Sequence, residues 1–399
     1  MNWITTGKVD YDLWVTPNLS SIGAIPGIIP QGEWYLQLDI SKLTEETVFQ
    51  FELYFEYGSE FSTIREPQPD SRILSETPGW YQGELHTHSV ESDGDFTVEE
   101  VLDVARKTNL DFIALTDHFT SSSWWRIDQI HEIPKVIWLN SMEITSHQGH
   151  ANLHGLHKWV DVFVDRNDWS MNCAADETHK QEGLFCINHA FSGEFSWSDL
   201  TFDWAKADLL ETYHLQEGPN NNLQISLWDS LLREGYRIIG VAGTDFHGNR
   251  FGNYELGKVR TYIYCNELSV KGLIDGLKRG KVYASFGPEV EFYIENHLQK
   301  IAEMGDSIES KDQPITLHIR IKSGKPLRMF IIKNGFHWRS KIIKPGNKRW
   351  QEYQETDASP IKGYYRVEIH NLFEDPNYAE FEWRDFSTLQ AISNPIWIR

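Results

Sequence analysis

Five short stretches of this 399-residue chain carry side chains able to bind metal ions or move protons. The first is Glu84-Leu85-His86-Thr87-His88, followed by Ser92-Asp93-Gly94. Two histidines at i and i+2 of a strand point to one face, so both imidazoles can reach a single ion. Asp93, in a glycine-containing loop just beyond, is placed to fold back and add a carboxylate. The design recurs in Leu115-Thr116-Asp117-His118, in Met142-Glu143-Ile144 with Gly149-His150-Ala151-Asn152, in Ile187-Asn188-His189, and in Gly243-Thr244-Asp245-Phe246-His247.

Taken singly, each of these residues has a purely structural explanation. A terminal Asp caps helices, a buried His can be a satisfied core residue, and a Glu can simply face water. Together they point to metal. Twelve of the 16 histidines fall between His86 and His247, where even scatter would place about six or seven. Gathering that many ionisable groups in one mouth without cations costs several kcal/mol per unpaired charge. Competing chemistries lack their residues. Cys173, Cys186 and Cys265 form no Cys-x-x-Cys or Cys–His motif. There is no Gly-x-Ser-x-Gly elbow and no glycine-rich phosphate loop.

The elements that must position these residues are short apolar strands alternating with helices. Leu110–Leu115, Val136–Leu139, Leu184–Ile187, Leu209-Leu210 and Ile238–Val241 read as buried strands, and all but Leu209-Leu210 run into one of the polar stretches or lie just before it. Thr97-Val98-Glu99-Glu100 has the capping-box pattern, with Val98, Val101, Leu102 and Ala105 at helical spacing behind it. Residues 222–235 read as a helix with Leu223, Leu227 and Leu231 on one face and Gly235 as its stop. Such alternation implies an α/β domain with a parallel sheet or barrel and its site at the carboxyl ends of the strands. Before it, residues 1–64 read as β-rich, with strand-like runs at 33–38 and 48–55, and a linker follows. After Pro288, strands return without helices (290–294, 315–321, 329–332 and 364–369), which reads as an antiparallel sandwich. The expected division is 1–78, 79–288 and 289–399.

Lys plus Arg number 37 against 58 Asp plus Glu, a net charge of −21. A chain this acidic repels polyphosphate backbones and anionic membranes, except where bound cations reverse the local field. The N-terminus lacks the basic segment and apolar run of a signal peptide, and no stretch approaches the ~20 apolar residues of a membrane span. The expectation is a soluble cytoplasmic protein with a small-molecule substrate, and neither a membrane nor a polynucleotide partner.

The motifs at 86–88, 92–94, 116–118, 143, 149–150, 188–189 and 245–247 together resemble the polymerase and histidinol phosphatase (PHP) superfamily, across roughly residues 80–288. Pro78-Gly79-Trp80-Tyr81-Gln82-Gly83-Glu84, Ala391–Ile396 and the flanking β domains are similar to its carbaryl (carbamate) hydrolase branch. The resemblance implies a distorted β/α barrel flanked by an N-terminal β domain and a C-terminal β-sandwich, with two or three divalent ions. One ion would take His86, His88, Glu143 and Asp245; a second would take Glu143, His150 and His189; a third would take Asp93, His118 and His247. His154 is the alternative to His150. Mixed nitrogen and oxygen ligands suit Zn, Mn or Fe. The implied reaction is hydrolysis by a metal-bridging hydroxide, foremost of small phosphate esters, alternatively of a carbamate, ester or amide; a non-catalytic metal-binding protein is a third reading. His214, beyond the strand at 209–211, is the candidate proton donor, and Asp117 the candidate for orienting a ligand or water. Arg126 and Arg250 are candidates for holding an anionic group. The flanking domains leave open carbohydrate binding or a homodimer.

Overall fold

A computed structural model describes residues 12–28, 31–33, 48, 50–55, 67–130, 135–161, 169–249, 255–346, 349–372 and 388–399. The fold is mixed α/β and mostly sheet. Nine strands build the central sheet: β1 (Gly79–Glu84), β2 (Phe112–Leu115), β3 (Ile137–Ser146), β4 (Gly149–His154), β5 (Leu184–Ile187), β6 (Leu209–His214), β7 (Ile239–Gly243), β8 (Arg260–Cys265) and β9 (Val282–Ser285). Their spatial order is β9-β8-β1-β2-β3-β4-β5-β6-β7. Helices α1 (Val98–Lys107), α2 (Ser122–Ile127), α3 (Met171–Lys180), α4 (Asn221–Glu234) and α5 (Val270–Lys278) lie between them in the chain.

The expected parallel sheet holds for β1-β2-β3 and β5-β6-β7, but β4 is antiparallel to both of its neighbours. The cause is local. Only His147 and Gln148 separate Ser146 from Gly149, and a turn that tight can join only antiparallel strands. Gly149 takes φ +128°, and a Cβ there would stand 2.7 Å from the Trp197 ring, so glycine is required at this turn.

Nor is the sheet closed by a backbone ladder among the described residues. It curls until β7 meets β8 through one side chain. Thr261 Oγ1 accepts from Ala242 N and donates to Ala242 O, both at 3.0 Å. Asn394 fastens the same seam from the C-terminal region. It accepts from Gly240 N (2.8 Å) and donates to Gly240 O (2.8 Å) and Val282 O (2.9 Å).

The capping box forms as expected. Thr97 Oγ1 accepts from Glu100 N, Glu100 Oε2 accepts from Thr97 N, and α1 buries Val98, Val101, Leu102 and Ala105. Helix α4 ends at Gly235 in the left-handed conformation, as expected, but its buried face is rotated. Ile225, Trp228, Leu231 and Leu232 face inward, whereas Leu223 is exposed. Trp228 sets this rotation, because its indole N–H donates to Ile238 O and its bulk fills the space beside β7.

After Pro288 the chain forms a sandwich. One sheet contains β10 (Glu289–Asn296), β11 (Ile301–Glu303), β13 (Ile315–Lys322) and β16 (Trp350–Asp357). The other contains β12 (Ser307–Ile308), β14 (Leu327–Lys333), β15 (Phe336–Ile343), β17 (Gly363–Asn371), β18 (Leu389–Ser393) and β19 (Ile396–Ile398). Strand β10 alternates buried and half-buried residues along its whole length, the pattern of a strand with one face on a core. The second sheet does not stop at residue 288. Strand β18 pairs with β9, so one ladder runs from the sandwich into the central sheet.

The run expected as a strand at 33–38 lies mostly outside the described residues. Residues 50–55 are described and carry no strand, with Leu53 and Tyr54 exposed. Alternation alone does not make a strand without a partner edge.

Candidate metal centre

Beyond β1 the chain stays extended between two neighbours. His88 N donates to Phe246 O (2.9 Å), and Thr87 Oγ1 donates to Ala114 O (2.7 Å). Held on both sides, His86 and His88 turn their rings to the same side, with centroids 5.2 Å apart. The following loop folds tightly, as Ser92 N and Gly94 N both donate to Ser89 O. A Cβ on Gly94 would lie 2.6 Å from His88 O, so the glycine is what lets Asp93 return to the mouth.

The remaining side chains arrive from successive strands. His118 follows β2 and is locked to β3 by Phe119 N donating to Glu143 O (2.8 Å). The hairpin sets Thr145 opposite His150 and Glu143 opposite Asn152, so His150 enters beside Glu143. His154 lies at the far end of β4, where its Nδ1 meets Ser141 Oγ at 3.0 Å. His189 follows β5, His214 ends β6, and Asp245 and His247 follow β7. Asp245 takes φ +52°, a left-handed conformation uncommon outside glycine and tolerated best by Asp and Asn.

Each of three carboxylates is ringed by imidazoles. Glu143 Oε1 lies 3.2 Å from His150 Nδ1, 3.5 Å from His86 Nε2 and 3.6 Å from His189 Nε2. Its Oε2 lies 2.8 Å from His118 Nδ1 and 3.4 Å from His88 Nε2. Asp245 Oδ1 lies 2.9 Å from His88 Nε2 and 3.2 Å from His86 Nε2. Asp93 Oδ1 lies 3.1 Å from His247 Nε2 and 3.3 Å from His118 Nε2. Among the described residues, five groups have ligand atoms within 4.8 Å of one another: His88, Asp93, His118 and His247; His86, His88 and Asp245; His86, Glu143 and His189; His86, Glu211 and His214; and His189, His214 and Asp245.

The residues fit divalent ions. Buried polar groups are nearly always hydrogen-bonded, yet His86 Nε2, both ring nitrogens of His88 and of His214, His150 Nε2, His189 Nδ1 and Glu143 Oε2 are buried without a well-aligned hydrogen bond, even where a neighbouring carboxylate or imidazole lies close. Protonation states agree in part. Against burial, the neighbouring carboxylates raise His86 well above the ordinary histidine value, His118 to about 10, and His189 and His247 upward, so these four must release a proton to bind an ion. Burial, with His247 and His118 nearby, pushes His88 down to about 3, and burial pushes His150 down to about 4. Burial opposes charge on Glu143 and Asp245, but His86 and its neighbours hold both carboxyls well below the usual range. Ionised carboxylates and neutral imidazoles are the forms that bind metal.

The structure thus brings His86, His88, Asp93, His118, Glu143, His150, His189, His214, Asp245 and His247 together. Other sequence candidates sit elsewhere. Asp117 accepts from Ser89 N, Ser89 Oγ and Ser92 Oγ at 2.8 to 3.0 Å, so it shapes the loop that carries Asp93. The Arg126 guanidinium is engaged with Glu91 (2.8 Å) and the carbonyls of Ser20 and Ser21, pinning the N-terminal segment to this side of the mouth. Arg250 lies outside the described residues. One buried carboxylate escaped the sequence reading. Glu211 accepts from His86 Nδ1 at 2.7 Å. As a single acidic residue inside an apolar strand it had no spacing signal, although a charge in a buried run is itself a warning.

No protein-family model matches this sequence, and no curated protein does. Among solved structures, the chain is similar to a two-domain protein from Bacteroides vulgatus containing a predicted PHP-like metal-dependent phosphoesterase (17% identity, TM-score 0.42, covering 79% of this chain and 97% of that one). It is also similar to PsfC from Pseudomonas syringae (15%, TM-score 0.36, covering 47% and 83%) and to an amidohydrolase from Chromobacterium violaceum with bound sulfate and no metal (17%, TM-score 0.34, covering 44% and 89%). At these similarities, what the chain does must be read from its own side chains.

Proposed function

We propose that the chain is a metal-dependent hydrolase, foremost a phosphoesterase acting on small phosphate esters. The observation that carries this reading is the mouth itself, where Asp93, Glu143 and Asp245 meet seven histidines and buried ring nitrogens lack well-aligned partners. One ion would be held by His86, His88, Glu143 and Asp245, a second by Glu143, His150 and His189, and a third by Asp93, His118 and His247. Zn, Mn and Fe suit this donor set. Bound there, such ions supply Lewis acidity, an activated water near neutral pH, and more positive charge than the three carboxylates remove, which suits an anionic phosphate.

The chain's own residues do the rest. Glu143, with both oxygens among imidazoles, bridges two ligand sets and fixes their separation. Asp117 holds the loop that presents Asp93. His214 is the proton donor to the leaving group, with its Nε2 3.6 Å from Asp245 Oδ2 and both ring nitrogens without hydrogen-bond partners. His214→Ala is expected to slow turnover about 10²-fold, at the low end for general acid catalysis, while metal stoichiometry stays intact. Loss of metal in that variant would make His214 a ligand instead.

One observation favours a second reading, hydrolysis of a carbamate, ester or amide. Phe195 is 39% exposed, and its ring centroid lies 5.1 Å from that of His150, which offers an apolar face beside one ligand set. Arg126, engaged with Glu91, is not turned toward an anion.

The test is elemental analysis of protein purified without added metal, paired with hydrolysis of p-nitrophenyl phosphate, bis-p-nitrophenyl phosphate and a naphthyl carbamate. Two to three equivalents of metal with phosphoester turnover are expected. Carbamate turnover alone would promote the second reading. Less than one equivalent after metal reconstitution would overturn both. Glu143→Ala should lower metal content and bring hydrolysis to background; full occupancy with an unchanged rate would refute the bridging role.

A further inference from the structure

Glu211 lies inside β6, fully buried, with both carboxylate oxygens engaged. Oε1 stands 2.7 Å from His86 Nδ1, and Oε2 accepts the backbone N–H of His189 at 2.8 Å. These two histidines belong to the same ligand group as Glu143. The contact depends on a third residue. A Cβ at position 243 would lie 2.2 Å from Glu211 Oε1 and 2.9 Å from His86 Cβ, so Gly243 clears the space in which Glu211 and His86 meet.

We propose that Glu211 is a positioning residue of the metal centre, fixing the ring proton of His86 on Nδ1 and the main chain of His189 in register with it. The inference rests on the metal-centre reading above. An ionised carboxylate only accepts hydrogen bonds, so the bond to His86 places the hydrogen on Nδ1. That leaves Nε2 as the nitrogen facing the mouth, 3.2 Å from Asp245 Oδ1 and 3.5 Å from Glu143 Oε1, and available to an ion once its own proton is released. Glu211 also falls in a ligand group with His86 and His214, but both of its oxygens are already engaged by His86 and His189. Outer partners of this kind typically contribute 10–100-fold to metal affinity by orienting the ligand ring.

The test measures Zn²⁺ affinity of the full chain by chelator competition, together with ring-nitrogen NMR of His86 in the metal-free protein at a pH high enough for the ring to be neutral. Glu211→Gln preserves shape, but an amide can donate or accept and so no longer imposes one tautomer. It is expected to keep the wild-type number of Zn²⁺ equivalents, bind them about 10–100-fold more weakly, and give His86 a mixed tautomer signature. Gly243→Ala should weaken binding in the same direction by displacing Glu211. Unchanged affinity and an unchanged tautomer in Glu211→Gln would overturn the proposal. So would loss of a whole equivalent, which would make Glu211 a ligand. If the wild type itself binds no Zn²⁺, the metal-centre reading falls and this proposal with it; wild-type binding with unaffected variants would remove this proposal alone.

Discussion

Two buried clusters of charge among the described residues differ in how completely they are satisfied. In the first, Arg366 of β17 donates from Nε and Nη2 to Asp229 of α4 (2.9 and 2.6 Å) and from Nη1 to Glu368 (2.6 Å). Tyr364 adds a hydrogen bond to Asp229 at 2.8 Å. The carboxylates hold the guanidinium pKa above its ordinary value against burial. The second cluster is the mouth, where imidazoles crowd three carboxylates and many ring nitrogens have no hydrogen bond. Both are desolvated, and both would be ruinous if left unpaired. The first cluster joins α4 of the central region to β17 of the sandwich, and each of its charged groups has a partner. The unsaturated one keeps its donors for something that arrives later.

That contrast can be broken experimentally, most severely at Arg366. Arg366→Ala strands Asp229 and Glu368 in the interior and is expected to cost about 3–5 kcal/mol, read by denaturant titration, with Zn²⁺ stoichiometry unchanged. Loss of metal at wild-type stability would show that the two clusters are not independent. Next in size is metal itself. An ion that binds only the folded chain should stabilise it by about 2.7 kcal/mol at a hundred-fold excess over its dissociation constant, seen as a melting temperature that rises with Zn²⁺. In Glu143→Ala that dependence should be weak, whereas in Arg366→Ala it should persist on a lower baseline. The smallest effect belongs to an ion pair of neither kind. The half-exposed His179 donates to Asp208 at 2.7 Å, and this hydrogen bond raises its pKa. The stabilisation is therefore complete below the ordinary histidine pKa and is lost as pH rises through the elevated folded value. Because the pair is partly solvated, His179→Gln should remove at most a few tenths of a kcal/mol, and only on the acidic side.

The mouth was more legible than its supports. His86 and His88, Asp245 and His247, and the Asp117-His118 pair announce themselves because ligand types recur at strand ends with i, i+2 or adjacent spacing. The capping box at Thr97 was equally plain, because its signal is local. What escaped depends on partners distant in sequence. Glu211 acquires its meaning only when His86 lies across the sheet. Arg126 reads as an anion holder until Ser20, Ser21 and Glu91 fold onto it. His147-Gln148 is no recognisable turn pair, so nothing local marks the hairpin that delivers His150. In α4, apolar spacing suggested one face, and the bulk of Trp228 chose another.

Asn394 gives the C-terminal region a significance beyond packing. Its amide holds the main chain of Gly240 on β7, a few residues upstream of Asp245 and His247. A truncation that removes residues 389–399 would therefore act on the candidate metal centre at a distance, loosening the strand that leads to Asp245 and His247 while leaving every candidate ligand in the chain. The heritable unit of this centre is not the motif-bearing stretch alone but that stretch together with the strand, two hundred residues away from some of its motifs, that buttons it shut.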